Sequence, residues 1–384
     1  MKAILHSNGD HHYGLAIARS LGKKKIDFAV ICDNRASIAA YSKYCRERII
    51  SGPDRRVYTK LTDRDIVFPL DEKIMLDLAK NASGLKCNLG FSDYPTLERV
   101  IHKNRMVRYA IEHGIPCPET TFINGKSDLE NFKPPSDFPV ILKQDRGAGG
   151  TGTWIAQDFP EIGRAGKNLL ANSGPFMIQE KIPYDHKCTV GVLCNRNSKI
   201  RRICILKEIR NFPLDAGQSC CVETIYRRDL IAICEKLMES LGFYGVADID
   251  FLIDKRDGKP RFMEINPRFW GSCQGAIAAG VDFPYLFYRM VTEGDIDTDL
   301  NYRTGVRCRY VVFNDLARLA SVLTGRHPAE FKIRALLEFL EFYRDDAYYV
   351  FSRDDLRPFI GLISIKLNRY LSRKNIVKIQ DFCS

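Results

Sequence analysis

FMEINPRFWGS, residues 262–272, sets a carboxylate, a carboxamide and a guanidinium at alternate positions: Glu264, Asn266 and Arg268. In an extended chain the period of two turns all three to one face of a strand that ends at Pro267. The same alternation puts Phe262 on that face, with Met263 and Ile265 opposite. Upstream, GVADIDFLID (245–254) repeats the pattern: Asp248, Asp250 and Leu252 share one face, and Ala247, Ile249 and Phe251 the other. The turn DKRDGKP joins the two segments as a β-hairpin. Carboxylates and an amide oxygen on neighbouring strands form a hard-oxygen set. It suits Mg2+ (or Mn2+), which takes few protein ligands and completes its shell with water and phosphate oxygens. The acids sit among Val246, Ile249, Phe251, Met263 and Ile265, where a charge without a partner is costly.

A second signal lies upstream. PVILKQ (139–144) reads as a strand carrying Lys143, TWIA (153–156) as its return, and DRGAGGTG (145–152) as the turn between them. Gly147, Gly149, Gly150 and Gly152, with Thr151, leave backbone N–H groups free to approach phosphate oxygens, and Lys143 adds a cation at the base. GxxxxGK[ST] is absent, so this is not a P-loop of the Walker type. A glycine-rich turn alone is weak evidence; followed by an acidic hairpin it points to a nucleotide triphosphate.

Around these motifs the pattern is α/β and α+β. KAIL (2–5), a helix over 14–21 and IDFAVIC (26–32) start a βαβ unit, and IVFPL (66–70) with a helix over 71–80 extends it. The first turn, HSNGDHHYG, lacks GxGxxG, so no dinucleotide site is read there, and His11 and His12 are treated as loop residues. One helix is expected from Pro95 to the stop at Gly114 and Pro116. FMIQEKI (176–182), CTVGVLC (188–194) and KIRRICILKEI (199–209) read as strands. DLIAICEKLMESLG (229–242) reads as a helix with a glycine stop. The segments 316–323, 333–343 and 356–374 are helical patterns. The expected division is 1–95, a Rossmann-like domain; 96–300, with a smaller subdomain over about 115–182; and 301–384, a mainly helical extension packed on the body.

Composition bounds the function. The chain has 384 residues, 45% of them hydrophobic and 27% charged, with a net charge of +11. It has no apolar run of about 18 residues or more that could span a membrane. The N-terminus turns polar after Leu5, too early for a secretory signal. Thirteen cysteines without CxxC argue for reduced thiols in a cytoplasmic protein rather than a disulfide or zinc framework. The basic residues form short scattered clusters without a helix-turn-helix, zinc-finger or RNP pattern, so no nucleic-acid partner is expected.

Lys103, Lys143 before the glycine turn, Gln179-Glu180-Lys181-Ile182, Asp250 and Glu264-Ile-Asn266-Pro-Arg268 follow one another in an order that resembles the ATP-grasp superfamily over about 95–290. The preceding segment resembles its Rossmann-like pre-grasp domain, and RSLGKKKIDFAV with AYSKYCRER resembles the carboxylate–amine ligase branch. The resemblance implies two α+β subdomains clamping ATP. It places Lys103 and Lys143 on phosphates, with Lys143 also near the adenine side. Glu180, Lys181 and Ile182 become the hinge that reads the adenine edge, with Glu180 contributing its side chain. Asp250, Glu264 and Asn266 hold magnesium, and Arg268 stabilises the transferred phosphoryl group or the attacking carboxylate. Asp185 is the candidate ribose partner, although Pro183-Tyr184-Asp185-His186-Lys187 departs from the family pattern. The implied reaction joins a small-molecule carboxylate to an amine through an acyl phosphate, releasing ADP and phosphate. The alternatives are a bicarbonate-using enzyme of the carboxylase or carbamoyl-phosphate type, and a non-catalytic ATP-binding regulator. Lys207, Arg210 and the loop 213–219 are candidates for the acceptor side, with Arg210 as an anion clamp. Trp270, Gly271 and Ser272 either wall the carboxylate pocket or pack in the core. A homodimer is compatible with this reading.

Overall fold

The computed structural model describes residues 1–8, 11–32, 37–51, 55–133, 138–146, 152–214, 217–342 and 347–366. Its frame is three sheets. The first is parallel, in the order β3-β2-β1-β4-β5, from β1 (Lys2–His6), β2 (Phe28–Cys32), β3 (Glu47–Ile50), β4 (Asp65–Val67) and β5 (Asn88–Leu89). Helices α1 (His12–Lys23) and α2 (Glu72–Lys80) cover opposite faces. The chain leaves β1 for β2 on one side and returns to β4 on the other. The carboxyl ends of β1 and β4 therefore open a crevice at the point where strand order reverses.

The single helix expected after Pro95 is two: α3 (Tyr94–Ile101) and α4 (Lys103–Glu112), broken at His102. The break has a distant cause. Asp145 holds the His102 ring nitrogen, and its Oδ1 accepts the Asn104 amide at 2.9 Å. Its carbonyl accepts the Lys103 amide at 3.0 Å. A residue 43 positions beyond His102 thus caps α4 and sets Lys103 at its first turn.

The second sheet, β6-β9-β7-β8, comprises β6 (Thr120–Ile123), β7 (Val140–Gln144), β8 (Thr153–Ala156) and β9 (Phe176–Glu180). Helices α5 (Lys126–Glu130) and α6 (Phe159–Asn172) pack over its apolar face. β7 and β8 form the expected hairpin, with Lys143 opposite Thr153. Within its tip, Gly147, Gly149, Gly150 and Thr151 lie outside the described residues; Gly152 is described and takes φ +79°, a left-handed conformation suited to glycine.

The third and largest sheet runs β14-β13-β10-β11-β12-β15-β16. Its strands are β10 (Tyr184–Cys194), β11 (Ile200–Phe212), β12 (Gln218–Ile225), β13 (Gly245–Asp254), β14 (Pro260–Asn266), β15 (Arg307–Arg309) and β16 (Ala347–Tyr348). One face carries Val190, Val192, Ile203, Ile205, Ala247, Ile249 and Phe251 against α4 and α7 (Arg228–Leu241). The other meets the first sheet through Leu193, Leu206, Val222 and Val246, together with Leu5, Leu15 and Ile17. Helices α8 (Cys273–Ala278) and α9 (Phe283–Glu293) follow the EINPR stretch and join that same core. The C-terminal segment includes helices α10 (Leu316–Thr324) and α11 (Ala329–Leu340). It is less purely helical than expected, because β15 and β16 extend the large sheet. The helix over 357–366 buries Leu362 and Ile365 in the shared core.

One face assignment is corrected. β13 and β14 pair Asp248 with Asn266 and Asp250 with Glu264, but then Phe251 with Phe262, so Met263 is an extra residue in the ladder. This bulge reverses the alternation, and Phe262 lies with Ile249, Phe251 and Ile265 on the apolar face rather than beside Glu264.

Candidate nucleotide and metal site

The site is a row of polar side chains across four neighbouring strands of the large sheet. On β13 and β14, register alone brings Asp248 opposite Asn266 and Asp250 opposite Glu264. On β10, Thr189 faces Asp250, and its hydroxyl donates to Asp250 Oδ1 at 2.6 Å. Next to it Lys187 lies 3.4 Å from Glu208 of β11. Lys187 and Glu208 were not singled out from sequence; the parity of β10 relative to Thr189 was the available signal.

Three cations converge on these acids. Lys103, placed by the α3–α4 break, reaches Glu264 Oε2 at 2.7 Å. Lys143 of the small sheet stands within the field of Glu264, Lys103 and Lys187. Its ammonium is pushed down to about 8, chiefly by burial and then by the two other lysines, while Glu264 works the other way. Arg268 donates through Nε to Glu72 Oε1 at 3.0 Å and through its two terminal nitrogens to the Phe269 carbonyl at 3.2 Å and Asn266 Oδ1 at 3.3 Å. Burial opposes its charge, but Asp248, Glu72 and Glu264 outweigh that and keep it cationic.

The acids divide by environment. Burial pushes Glu264 up, yet Lys103, Lys143 and Arg268 hold it below the usual carboxylate range. Asp250 is pushed up to about 7 by burial and by the charge of Glu264. Asp248 is pushed well up by burial and by Asp250, and its Oδ1 is buried with no partner among the described residues. Acids raised in this way lack positive charge, and their oxygens are the donor type a divalent magnesium or manganese ion takes. Among the described residues no three of His, Cys, Asp and Glu gather into a closed metal cage. An ion would rest on Asp250, Glu264 and the amide oxygen of Asn266, with water and phosphate oxygens completing its shell.

Other expected site residues stand differently. Glu180 ends β9 and is buried, but Arg256 grips its carboxylate at 3.0 and 3.3 Å and the Glu119 amide donates to it at 3.2 Å. Protein donors thus occupy this carboxylate. Ile182 is buried and Lys181 exposed beyond it, while Asp185 is exposed and paired with His186 at 2.6 Å. Arg210 is not an anion clamp. Bulges on either side of it in the β11–β12 ladder turn it toward α10, where Asp315 accepts from its Nε and one terminal nitrogen at 3.0 and 2.8 Å in a buried pair. Trp270 belongs to the core, edge-on to Phe283 at 5.1 Å.

A cavity of about 360 Å³ opens beside the acids, lined by Glu72, Lys73, Lys103, Arg146, Glu264 and Asn266 among others. The N-terminal sheet thus supplies one wall of the site through Glu72 at the start of α2.

Fold and site together define a class: an α/β protein in which a small antiparallel sheet carries a lysine over a larger sheet bearing paired acids, behind a Rossmann-like domain. Residues 102–272 match the family model of the ATP-grasp domain. The chain is 26% identical over 239 residues to mitochondrial pyruvate carboxylase of Rattus norvegicus, covering 56% of this chain and 20% of that protein. It is 22% identical over 204 residues to D-aspartate ligase of Enterococcus faecium, 46% of each. The chain therefore spans a fifth of one relative and under half of the other. Among solved structures it resembles the biotin carboxylase domain of Hydrogenobacter thermophilus 2-oxoglutarate carboxylase, a dimer in complex with MgADP, ADP and bicarbonate. That likeness has a TM-score of 0.65 at 16% identity and covers 80% of this chain and 73% of that one. No helix among the described residues is long and apolar enough to cross a membrane.

Proposed function

We propose that the protein is an ATP-dependent ligase that joins a small-molecule carboxylate to an amine, with ADP and phosphate as co-products. The observation that carries the reading is the register that stacks Asp250 on Glu264 and Asp248 on Asn266, with Lys103, Lys143 and Arg268 closing on them. A carboxylate attacking a γ-phosphoryl group meets repulsion from a polyanion, so a site for this chemistry needs fixed cations at the transferred group. Lys103 and Lys143 neutralise phosphate oxygens. Arg268, locked by Glu72, receives the carboxylate or the moving phosphoryl group. Asp250, Glu264 and Asn266 would hold a divalent ion, which would supply positive charge to neutralise the phosphates. The carboxylate oxygen bonds to phosphorus as the bond to ADP breaks. The amine nitrogen then bonds to the acyl carbon as the carbon–oxygen bond to phosphate breaks. The cleft walls from β7 and α2 exclude water, which would otherwise hydrolyse the acyl phosphate. Free described cysteines fit a reducing cytoplasm, and the substrates are small molecules rather than nucleic acid.

The second reading, bicarbonate as the acid, is favoured by the bicarbonate bound in the Hydrogenobacter relative. An ADP-release screen over organic acids, bicarbonate and small amines separates them. ADP release that needs an organic acid and an amine together supports the ligase, and release driven by bicarbonate without an organic acid supports the second reading. Binding of nucleotide with no turnover under any pairing would refute both.

A further inference from the structure

Asp248 and Arg268 lie on either side of Asn266. Asn266 keeps them apart: its amide nitrogen donates to Asp248 Oδ2 at 3.2 Å and its amide oxygen accepts from Arg268 at 3.3 Å. Asp248 is only 4% exposed, yet its Oδ1 has no partner among the described residues. A second buried orphan lies nearby, the indole N–H of Trp270. Its ring edge rests over Gly191, the residue paired with Asp248 across β10; a Cβ on Gly191 would stand 2.2 Å from two indole carbons. One unpaired acceptor and one unpaired donor therefore border the same step of the sheet. Buried polar atoms of this kind are rare in native folds unless a ligand or ordered water completes them. Tyr13 lies within the field of Arg268 first and then of Asp71, Glu72 and Asp248.

We propose that Asp248 is the docking point for an ammonium group, held beside the carboxylate that Arg268 receives. This rests on the ligase reading above. The two hydrogen bonds through Asn266 and the width of its amide limit the gap between the anion and the cation to about 9 Å. A ligand ammonium and carboxylate that bind in the space between the two residues, each through a charge-assisted bond of about 2.8 Å, therefore lie within a few ångströms of each other. An α- or β-amino acid meets that limit; a long-chain ω-amino acid does not. The ammonium belongs either to the acid substrate itself or to the acceptor amine as it approaches the same carboxyl group.

Hydroxylamine separates the two sources, because it traps an acyl phosphate as a hydroxamate and is uncharged at neutral pH. Amino acids are compared with their des-amino counterparts, such as aspartate with succinate and alanine with propionate, in wild type and in D248N. If the ammonium is the acid's own, wild type favours the amino acid by roughly 10- to 100-fold in kcat/KM, and D248N collapses that ratio. If it is the acceptor's, the ratio is near one in both proteins, and D248N raises the KM of an ammonium-bearing acceptor but not that of hydroxylamine. Either result supports the proposal. D248S serves if D248N does not fold, and the wild-type ratio needs no variant. A ratio and an acceptor KM that both ignore the substitution overturn it, as does a variant whose only change is a higher Mg2+ requirement, since Asp248 is then a metal ligand. A folded wild type that binds ADP but makes no hydroxamate from any acid overturns the ligase reading itself, and this inference with it.

Discussion

Lys143 lets the electrostatics of the cleft be tested without knowing the substrate. Its pKa is lowered from 10.5 to about 8, by burial first and then by Lys103 and Lys187. Below pH 8 it is a cation in the free protein, and above pH 8 it is increasingly neutral. A bound polyphosphate favours the cation and draws the pKa back toward its ordinary value, so binding above pH 8 takes up a proton. Each pH unit past 8 then weakens nucleotide binding by up to tenfold, about 1.4 kcal/mol, which comes to about 15-fold between pH 8 and 9.5. Calorimetric titration with ADP in two buffers of different ionisation enthalpy reads this directly. Proton uptake is expected near zero at pH 7 and close to one at pH 9.5, and K143M should abolish the rise. The same shift has the opposite sign for folding. A lysine whose folded pKa lies below its unfolded value lowers stability below pH 8, and the cost fades as pH rises from 8 toward 10.5. K143M should therefore bind nucleotide worse yet be more stable at pH 7, by on the order of 1–3 kcal/mol in urea unfolding. Equal proton uptake in wild type and K143M at pH 9.5, or a K143M that is less stable at pH 7, would refute the reasoning.

Asp250, held near 7 by burial and Glu264, must lose its proton before a divalent ion can bind. Apparent Mg2+ affinity should fall by up to about tenfold per unit below pH 7; a flat metal titration between pH 5.5 and 7 places the ion elsewhere. Arg268→Ala should lower kcat far more than nucleotide affinity, and the reverse pattern in steady-state kinetics moves Arg268 to nucleotide binding. Glu72→Ala frees the Nε edge of Arg268 and should lower kcat by roughly tenfold, with Glu72→Gln restoring most of it; equal loss in both removes Glu72 as a positioning residue. Asp315→Asn strips the carboxylate charge that Arg210 and Arg309 share in the core and should cost about 3–5 kcal/mol in denaturant unfolding, while a change under about 1 kcal/mol shows that water reaches the pair.

What the sequence made legible was local. The acidic hairpin could be read because strand alternation depends only on neighbouring residues, and Asp250 does lie opposite Glu264. α2 and α7 were visible from their stop and start residues; Asp71 caps the Ile74 amide, and Gly242 closes α7 in a left-handed conformation. What failed was governed by distant partners. No feature of residues 94–113 alone announces the break at His102, because Asp145 makes it. The bulge at Met263 is one extra residue against a strand turn away, and it was enough to move Phe262 to the other face. β12 was missed because its pairing with β11 and β15, rather than its own alternation, defines it.

The same distinction explains why residue type could not separate functional charges from structural ones. Arg210 and Arg268 are both candidate anion-binding residues in the sequence, each beside an apolar strand. In the fold, Arg210 meets a carboxylate that takes its Nε and one terminal nitrogen in a two-point fork, and Arg256 bridges Asp254 and Glu180. Such pairs are electrostatically closed, and a ligand could enter only by breaking bonds already made. Around Arg268 the balance differs: Glu72 holds its Nε and the other two nitrogens reach only neutral oxygens of Phe269 and Asn266, while burial and neighbouring acids raise the carboxyls of Asp248 and Asp250 against the opposing pull of Arg268 and Lys187. A fold does not bury acids in that state without cost, and the cost is recovered only when a cation or a polar ligand arrives. The informative quantity is therefore which buried charge lacks its complement, and that is a property of the packed sheet that no single strand displays.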